Sequence, residues 1–317
     1  MRIFITGGAG FLGRAIMARP ELFSPDPVDF TVFSRDEFKQ AHARALFPDA
    51  HYILGDVRER DRLELAMRGH DVVIHAAAMK YVLRGESDVW EAIDVNVDGS
   101  RNVAMAAART GVEHLVGLST DKACRPVNVY GMSKLLMERL FQEADSWSGT
   151  QINLVRYGNV VSSTGSAVPL FRQQAREGRI TLTNPHMTRF WLTVDHAVEL
   201  VAEALKEPRG GTILIPRLPS ATIQVVVEAA IQIELARNPD LRKVGFANIG
   251  QRFGEKVHEN LLGPEETPYT EPGKVMRLYP VTEGPRRAHQ DDMYTSSHPD
   301  HIIEVGEMVE LIQEGGE

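Results

Sequence analysis

Over the first 160 residues, short apolar runs rich in β-branched side chains alternate with longer segments of helical period. The runs at residues 2–6, 30–33, 52–54, 71–75, 114–118 and 152–156 have the length and composition of buried strands. Between them, residues 12–19, 37–47, 59–68, 89–110 and 130–144 repeat apolar positions at spacings of three and four, as helices with one buried face do. Such alternation makes βαβ units and right-handed crossovers, so the expected fold is α/β with a doubly wound parallel sheet. After Gly158 the pattern loosens into Gly, Ser, Thr and Pro at 162–169, then short strands, helices at 194–205 and 223–237, and a polar tail.

Composition narrows the class. The chain has 317 residues, 43% of them hydrophobic and 25% charged, enough to bury a full core. Its single cysteine, Cys124, rules out a disulfide framework and points to a reducing compartment, with cytoplasm as the expectation. No run approaches the roughly 18 apolar residues of a membrane span. The glycine-rich opening has no small-residue cleavage site after an apolar core and reads as structure, not as a leader. The net charge of −8 argues against a nucleic-acid surface, and no His/Cys/Asp/Glu spacing suggests a metal. The expected partner is a small molecule.

The first strand runs into Gly7-Gly8-Ala9-Gly10-Phe11-Leu12-Gly13. Glycines at this spacing allow a sharp strand-to-helix turn, close backbone approach to a pyrophosphate and tight helix packing, with the helix N-terminus facing the phosphates. This specifies a Rossmann-type dinucleotide site. At the tip of the second strand stand Ser34, Arg35 and Asp36. A hydroxyl beside an Arg suits the 2′-phosphate of NADP, whereas an acidic residue suits the ribose of NAD, so NADP is favoured with NAD as the alternative. Asp56-Val57 and Ala76-Ala77-Ala78 follow the third and fourth strands, where ligands of open α/β sheets lie; Asp56 is placed to meet adenine.

The fifth strand ends in Ser119-Thr120-Asp121-Lys122, and Tyr130 and Lys134 follow four residues apart on one helix face. A nearby ammonium and a cationic nicotinamide favour phenolate at Tyr130, which can then take a hydroxyl proton. Asp121 and Lys122 add an acid and an amine, the extra proton carriers that dehydration needs.

Tyr130-x-x-x-Lys134 with the glycine cradle resembles the extended short-chain dehydrogenase/reductase superfamily. The segments 34–40, 75–80, 119–134, 155–161, 187–191 and 254–259 are similar to the UDP-N-acetylglucosamine 4,6-dehydratases that invert C5. This resemblance implies a lyase in which NADP+ takes hydride from C4 and returns it to C6, with no net redox change. It implies Tyr130 as base for the C4 hydroxyl, supported by Lys134 and Thr120, Lys122 as base for C5, and Asp121 as acid for the C6 hydroxyl. It places Gly7, Gly10, Phe11, Leu12, Gly13, Ser34, Arg35, Asp36, Lys39, Asp56, Val57, Ala76, Ala77, Ala78, Lys80, Ser119, Tyr130, Lys134 and Val160 at the cofactor. The UDP-sugar would meet Lys80, Asn159, Val168, Thr181, Arg189, Arg252 and Glu255, with Val168 and Thr181 around uracil and the two arginines on phosphates.

The expected organisation is a cofactor domain at 1–160 and a dependent, smaller α/β substrate-binding part at 161–317, with chain crossovers allowed. A homo-oligomer associating through residues 95–110 and 130–144 is expected. Tyr81, Phe253 and the stretch 161–165 depart from the family pattern, which bears on sugar fit rather than reaction class. The alternatives are a C5-retaining dehydratase, a nucleotide-sugar 4-epimerase, or a non-catalytic NADP-binding regulator.

Overall fold

The computed structural model describes residues 1–163, 165–239, 241, 244–282 and 293–316. Its first half runs β1 (Arg2–Thr6), α1 (Phe11–Met17), β2 (Asp29–Ser34), α2 (Glu37–Leu46), β3 (His51–Leu54), α3 (Arg60–Met67), β4 (Val72–His75), α4 (Val82–Ser87), α5 (Val89–Ile93), α6 (Gly99–Thr110), β5 (His114–Leu118), α7 (Val129–Ser148) and β6 (Gln151–Val155). The remainder runs β7 (Asn159–Val160), α8 (Ala167–Arg176), β8 (Arg179–Leu182), β9 (Thr188–Leu192), α9 (Val194–Lys206), β10 (Ile213–Pro216), β11 (Ser220–Thr222) and α10 (Ile223–Arg237). It ends with β12 (Gly245–Asn248), β13 (Asn260–Leu262), β14 (Thr270–Glu271), β15 (Val275–Leu278), β16 (Tyr294–Thr295) and α11 (Val305–Glu314).

Nine strands form one sheet in the order β14-β15-β10-β6-β5-β4-β1-β2-β3. All neighbours from β3 to β10 pair in parallel, and only β15 is reversed, pairing antiparallel with both β10 and β14. The order reverses between β1 and β4, the place where ligands of such sheets lie. Side chains alternate across β1: Phe4 joins the core under α3, α6 and α7, while Ile3 and Ile5 join the core under α1 and α9. Both sheet faces are therefore covered, as the continuous apolar strands require. Residues beyond 160 give the sheet β10, β14 and β15 and give its second face α9. A third core, with Val168, Phe171, Trp191, Val226 and Ile312, lies among α8, α10 and α11.

Three segments differ from the sequence expectation. Residues 167–176, expected as loop and strand, are helix α8, because Pro169 falls in the first turn, where its missing N–H costs nothing. The expected polar tail contains α11, started by a reciprocal capping box between Glu304 and Glu307 and buried through Met308 and Ile312. The expected helix over 89–110 is interrupted by a π-turn at Asp94–Asp98. Trp191 is core, whereas Trp90 is 81% exposed and Trp147 52% exposed.

Candidate active site

The loops after β1 to β6 meet above the strand ends. Gly7 has a φ of 68°, and a Cβ there would lie 2.8 Å from the Ala77 nitrogen, so this turn and the Ala76–Ala77 turn touch backbone to backbone. At Gly13 a Cβ would sit 2.3 Å from the Gly8 carbonyl, which seats α1 directly on the turn. Gly10 opens α1 with no side-chain cap, leaving the first amides available to an anion. Below them Thr6 Oγ1 bonds His75 Nδ1 at 2.8 Å and His75 Nε2 bonds Ser100 Oγ at 3.0 Å. Burial drives His75 down to about 3, so this ring is a neutral strut.

At the next strand tip, Gln40 of α2 donates to the Ser34 carbonyl and hydroxyl, both at 3.1 Å, and to the Ile53 carbonyl at 2.9 Å. Asp36 turns onto its own helix, accepting from the Lys39 amide at 2.9 Å and pairing with Lys39 Nζ at 3.2 Å. Arg35 is half exposed and reaches Glu91 at 3.0 Å and Asp56 at 3.4 Å. Arg58 clamps the same two acids at 2.9 and 2.6 Å. Burial pushes the Asp56 carboxyl up, but the Arg58 bond and both guanidinium charges outweigh it and hold it below the usual range. Partial burial and the charge of Lys39 both lower Lys80, so these two cations converge at this end of the site.

The strand β5 delivers Ser119, Thr120, Asp121 and Lys122, and Asn128 starts α7 by accepting from the Gly131 amide at 2.7 Å. Asp121 is fully buried; its Oδ1 accepts from Thr120 Oγ1 at 2.9 Å and from Lys122 Nζ at 3.0 Å. Lys122 Nζ also faces Asn159 Oδ1 at 3.5 Å and Glu259 Oε1 at 3.8 Å. Burial opposes its charge, but Asp121 and Glu259 prevail over burial and over Arg189, so Lys122 is raised and rests as ammonium. Asp121 Oδ2 and Glu259 Oε2 are buried with no hydrogen-bond partner.

The expectation for Tyr130 changes here. Burial raises the phenol; the cation that lowers it is Lys122, helped by the Thr120 hydroxyl, while Asp121 raises it. Lys134 lies along α7 with Nζ at 2.9 Å from Met137 Sδ, and burial, against the charge of Glu138, drops it to about 7. Helix spacing puts Tyr130 and Lys134 on one face, but the ammonium that acts on Tyr130 comes from the β5 loop. Ser119 directs its hydroxyl to Glu138 Oε1 at 2.5 Å.

Of the residues assigned to substrate, Asn159 stands beside Lys122. Arg189 is buried, with its guanidinium on the carbonyls of Thr188, Lys256 and Val257 at 2.8 to 3.2 Å and 3.9 Å from Glu259. Arg252 and Glu255 close their own turn, which Asn128 ties to α7 through the Gly254 carbonyl at 2.8 Å. Val168 is a member of the third core, and Thr181 accepts from Gln174 at 2.9 Å on β8. Phe11, Leu12, Val57, Ala78 and Val160 stand in or beside the loops above the strand ends.

Residues unassigned from sequence complete the site. Asn96, inside the π-turn, exchanges bonds with the Met79 backbone at 2.8 and 3.0 Å and donates to Ser133 Oγ at 2.9 Å, which joins the loop before Lys80 to α7. Lys256 and Glu259 sit within the 254–259 motif, the one signal that could have found them. Arg156, Glu138 and Glu266 form a buried ion triad, and no local pattern announces it.

A protein family described as "Polysaccharide biosynthesis protein" matches residues 3–280. A UDP-N-acetylglucosamine 4,6-dehydratase (inverting) from Campylobacter jejuni serotype O:2 is 40% identical over 275 residues, 84% of this chain and 79% of that protein. A UDP-glucose 4-epimerase from Rickettsia akari is 39% identical, over 83% of this chain and 78% of its own. The X-ray structure of Pen from Bacillus thuringiensis superposes with a TM-score of 0.91 at 32% identity, covering 99% of this chain and 97% of that one.

Proposed function

The chain belongs to the polysaccharide biosynthesis protein family and to the short-chain dehydrogenase/reductase enzymes that include nucleotide-sugar dehydratases and epimerases, and from that premise we propose that it is an NADP-dependent UDP-N-acetylglucosamine 4,6-dehydratase inverting C5. The observation that carries this reading is the buried Thr120–Asp121–Lys122 hydrogen-bonded set beside Tyr130. Oxidation at C4 and its reversal need one base. Loss of water across C5 and C6 needs a second base and an acid.

Tyr130 takes the C4 hydroxyl proton, with Thr120 and the Lys122 charge easing its ionisation. A bound nicotinamide supplies the hydride acceptor for C4 and the donor for C6. One proton passing from Lys122 Nζ to Asp121 Oδ1, across 3.0 Å, turns the resting ion pair into a free amine and a carboxylic acid. The amine then removes the C5 proton, acidified by the C4 ketone, and the acid protonates the leaving C6 hydroxyl. Elimination thereby regenerates ammonium and carboxylate.

The cradle fits a dinucleotide, because at Gly7 and Gly13 the space for a Cβ is already filled by backbone. Arg35, Lys39 and Lys80 offer three cations to a 2′-phosphate, and Asp36, occupied with its helix, offers little to ribose hydroxyls. NADP is therefore preferred to NAD. We place the enzyme in the cytoplasm; no helix among the described residues is long and apolar enough to cross a membrane. Exposed Trp90, Met132 and Leu136 on α5 and α7 support a homo-oligomer joined through this side.

The identity to a 4-epimerase favours epimerisation as the second reading, in which Lys122 has no proton to move. Incubation with UDP-N-acetylglucosamine in deuterium oxide decides between them. The expected product has lost one water and carries deuterium at C5; recovery of the C4 epimer alone would falsify the dehydratase.

A further inference from the structure

We propose that Glu259 is a positioning residue of the proton-transfer pair: from the C-terminal segment it fixes Lys122 Nζ opposite Asp121 and holds that nitrogen as an ammonium in the resting site. This rests on Lys122 being the C5 base. Glu259 is 2% exposed and clamped through its backbone, its amide donating to Ser296 Oγ and its carbonyl accepting from the Ser296 amide, both at 2.9 Å. Ser296 Oγ is itself fixed on Thr188 Oγ1 at 2.7 Å. Three cations surround the carboxylate, Lys256 at 3.4 Å, Lys122 at 3.8 Å and Arg189 at 3.9 Å. Lys256 is committed elsewhere too, donating to the Cys124 carbonyl at 2.7 Å.

A carboxylate present only for packing would have its oxygens satisfied, since an unpaired buried acceptor costs the whole desolvation of that atom. Glu259 Oε2 has the ion pair with Lys256 at 3.4 Å but no hydrogen bond, and Asp121 Oδ2 on the other side of the lysine has no hydrogen bond either. Lys122 thus lies between two incompletely bonded anions. The charged and titratable groups facing it are Asp121 and Tyr130 from the β5–α7 side, Arg189 from β9, and Glu259. Removing the Glu259 charge withdraws one of the two anions that favour ammonium. The free amine then appears at lower pH.

The test compares the full-length protein with Glu259→Gln and Glu259→Asp. In lysine-labelled protein the Lys122 signal, identified by its loss in Lys122→Arg, is titrated by NMR without substrate. With UDP-N-acetylglucosamine, the pH dependence of deuterium entry at C5 is followed. Glu259→Gln is expected to move the Lys122 titration and the acidic limb of the rate down by about one unit. It should lower kcat about tenfold with KM nearly unchanged, and Glu259→Asp should restore part of both. An unmoved titration in a folded Glu259→Gln protein overturns the proposal, even where turnover falls. Should that variant not fold, Glu259→Asp serves alone: a smaller downward shift supports the proposal and an unmoved titration overturns it. Absence of turnover in the unsubstituted protein would count against the dehydratase reading, while the titration still decides the role of Glu259.

Discussion

Two buried charge clusters share the residues around β5, β6 and α7, and they are built to opposite standards. In the first, Arg156 uses all five donors: Nε and Nη2 hold Glu138 at 2.9 and 2.6 Å, Nη1 and Nη2 hold Glu266 at 2.8 and 2.9 Å, and Nη1 reaches the Leu261 carbonyl at 3.0 Å. Ser119 and the Gly263 amide occupy further lone pairs of the two acids. In the second, Asp121, Lys122, Glu259 and Arg189 lie within salt-bridge range, yet Asp121 Oδ2 accepts no hydrogen bond and Glu259 Oε2 has only an ion pair, to Lys256 at 3.4 Å. Closure makes the first cluster a joint; the second keeps unmet hydrogen-bonding capacity, as the proposed proton transfer between Lys122 and Asp121 requires. The lesson is that buried charge marks chemistry when its hydrogen-bond accounts are left open.

Arg156→Met should give the largest stability effect, about 3–5 kcal/mol in denaturant unfolding, because two carboxylates lose their common partner. Arg156→Lys should recover little, since an ammonium cannot fork across both acids. Asp121→Asn keeps an acceptor for Thr120 and Lys122 while removing the proton carrier. It should lower dehydration by about 10²–10⁴-fold while unfolding stability changes by under about 1 kcal/mol. If it costs as much stability as Arg156→Met, the contrast between the clusters fails.

Lys134 lies at the border of the two. The unfolded chain keeps this proton to about 10.5 and the folded one only to about 7, so the unfolded state binds more protons between those values. Stability should therefore rise with pH across that window, and Lys134→Met should abolish the rise in melts taken at several pH values. Farther out, Arg35→Ala should weaken NADP about tenfold relative to NAD, as measured by cofactor titration, the scale of one charge-assisted bond. Smallest of all, Asp36→Ala should cost about 1 kcal/mol in thermal unfolding, the value of one helix cap outside both clusters.

Much of the first half is legible because its strands are short apolar runs and its helices carry a period. The β5 span is read to the residue, and 223–237 matches α10. The glycine cradle and the Asp121–Lys122 and Tyr130–Lys134 spacings are local, so sequence displays them. What escaped depends on distance or on competing cues. Prolines and serines masked α8, although a proline in a first turn is compatible with helix. Glu266 looks like a surface acid until the fold brings it to Arg156, and the i, i+4 spacing of Lys134 and Glu138 hides that Glu138 belongs to Arg156. Asn96 needs the π-turn to reach Met79 and Ser133, and no spacing rule foretells that insertion.

The Arg156 joint also has a bearing on how the protein is made. Arg156 and Glu266 are 110 positions apart, so at roughly 5–20 residues per second a nascent chain waits about 5 to 20 s between synthesising the two. During that interval the six parallel strands of the amino-terminal half are already available, but the guanidinium behind β6 lacks one acid and the Lys122 loop lacks Glu259. A chain interrupted before residue 259 would leave the ribosome with an unfinished interior, open to proteolysis and without the Glu259 carboxylate that faces Lys122.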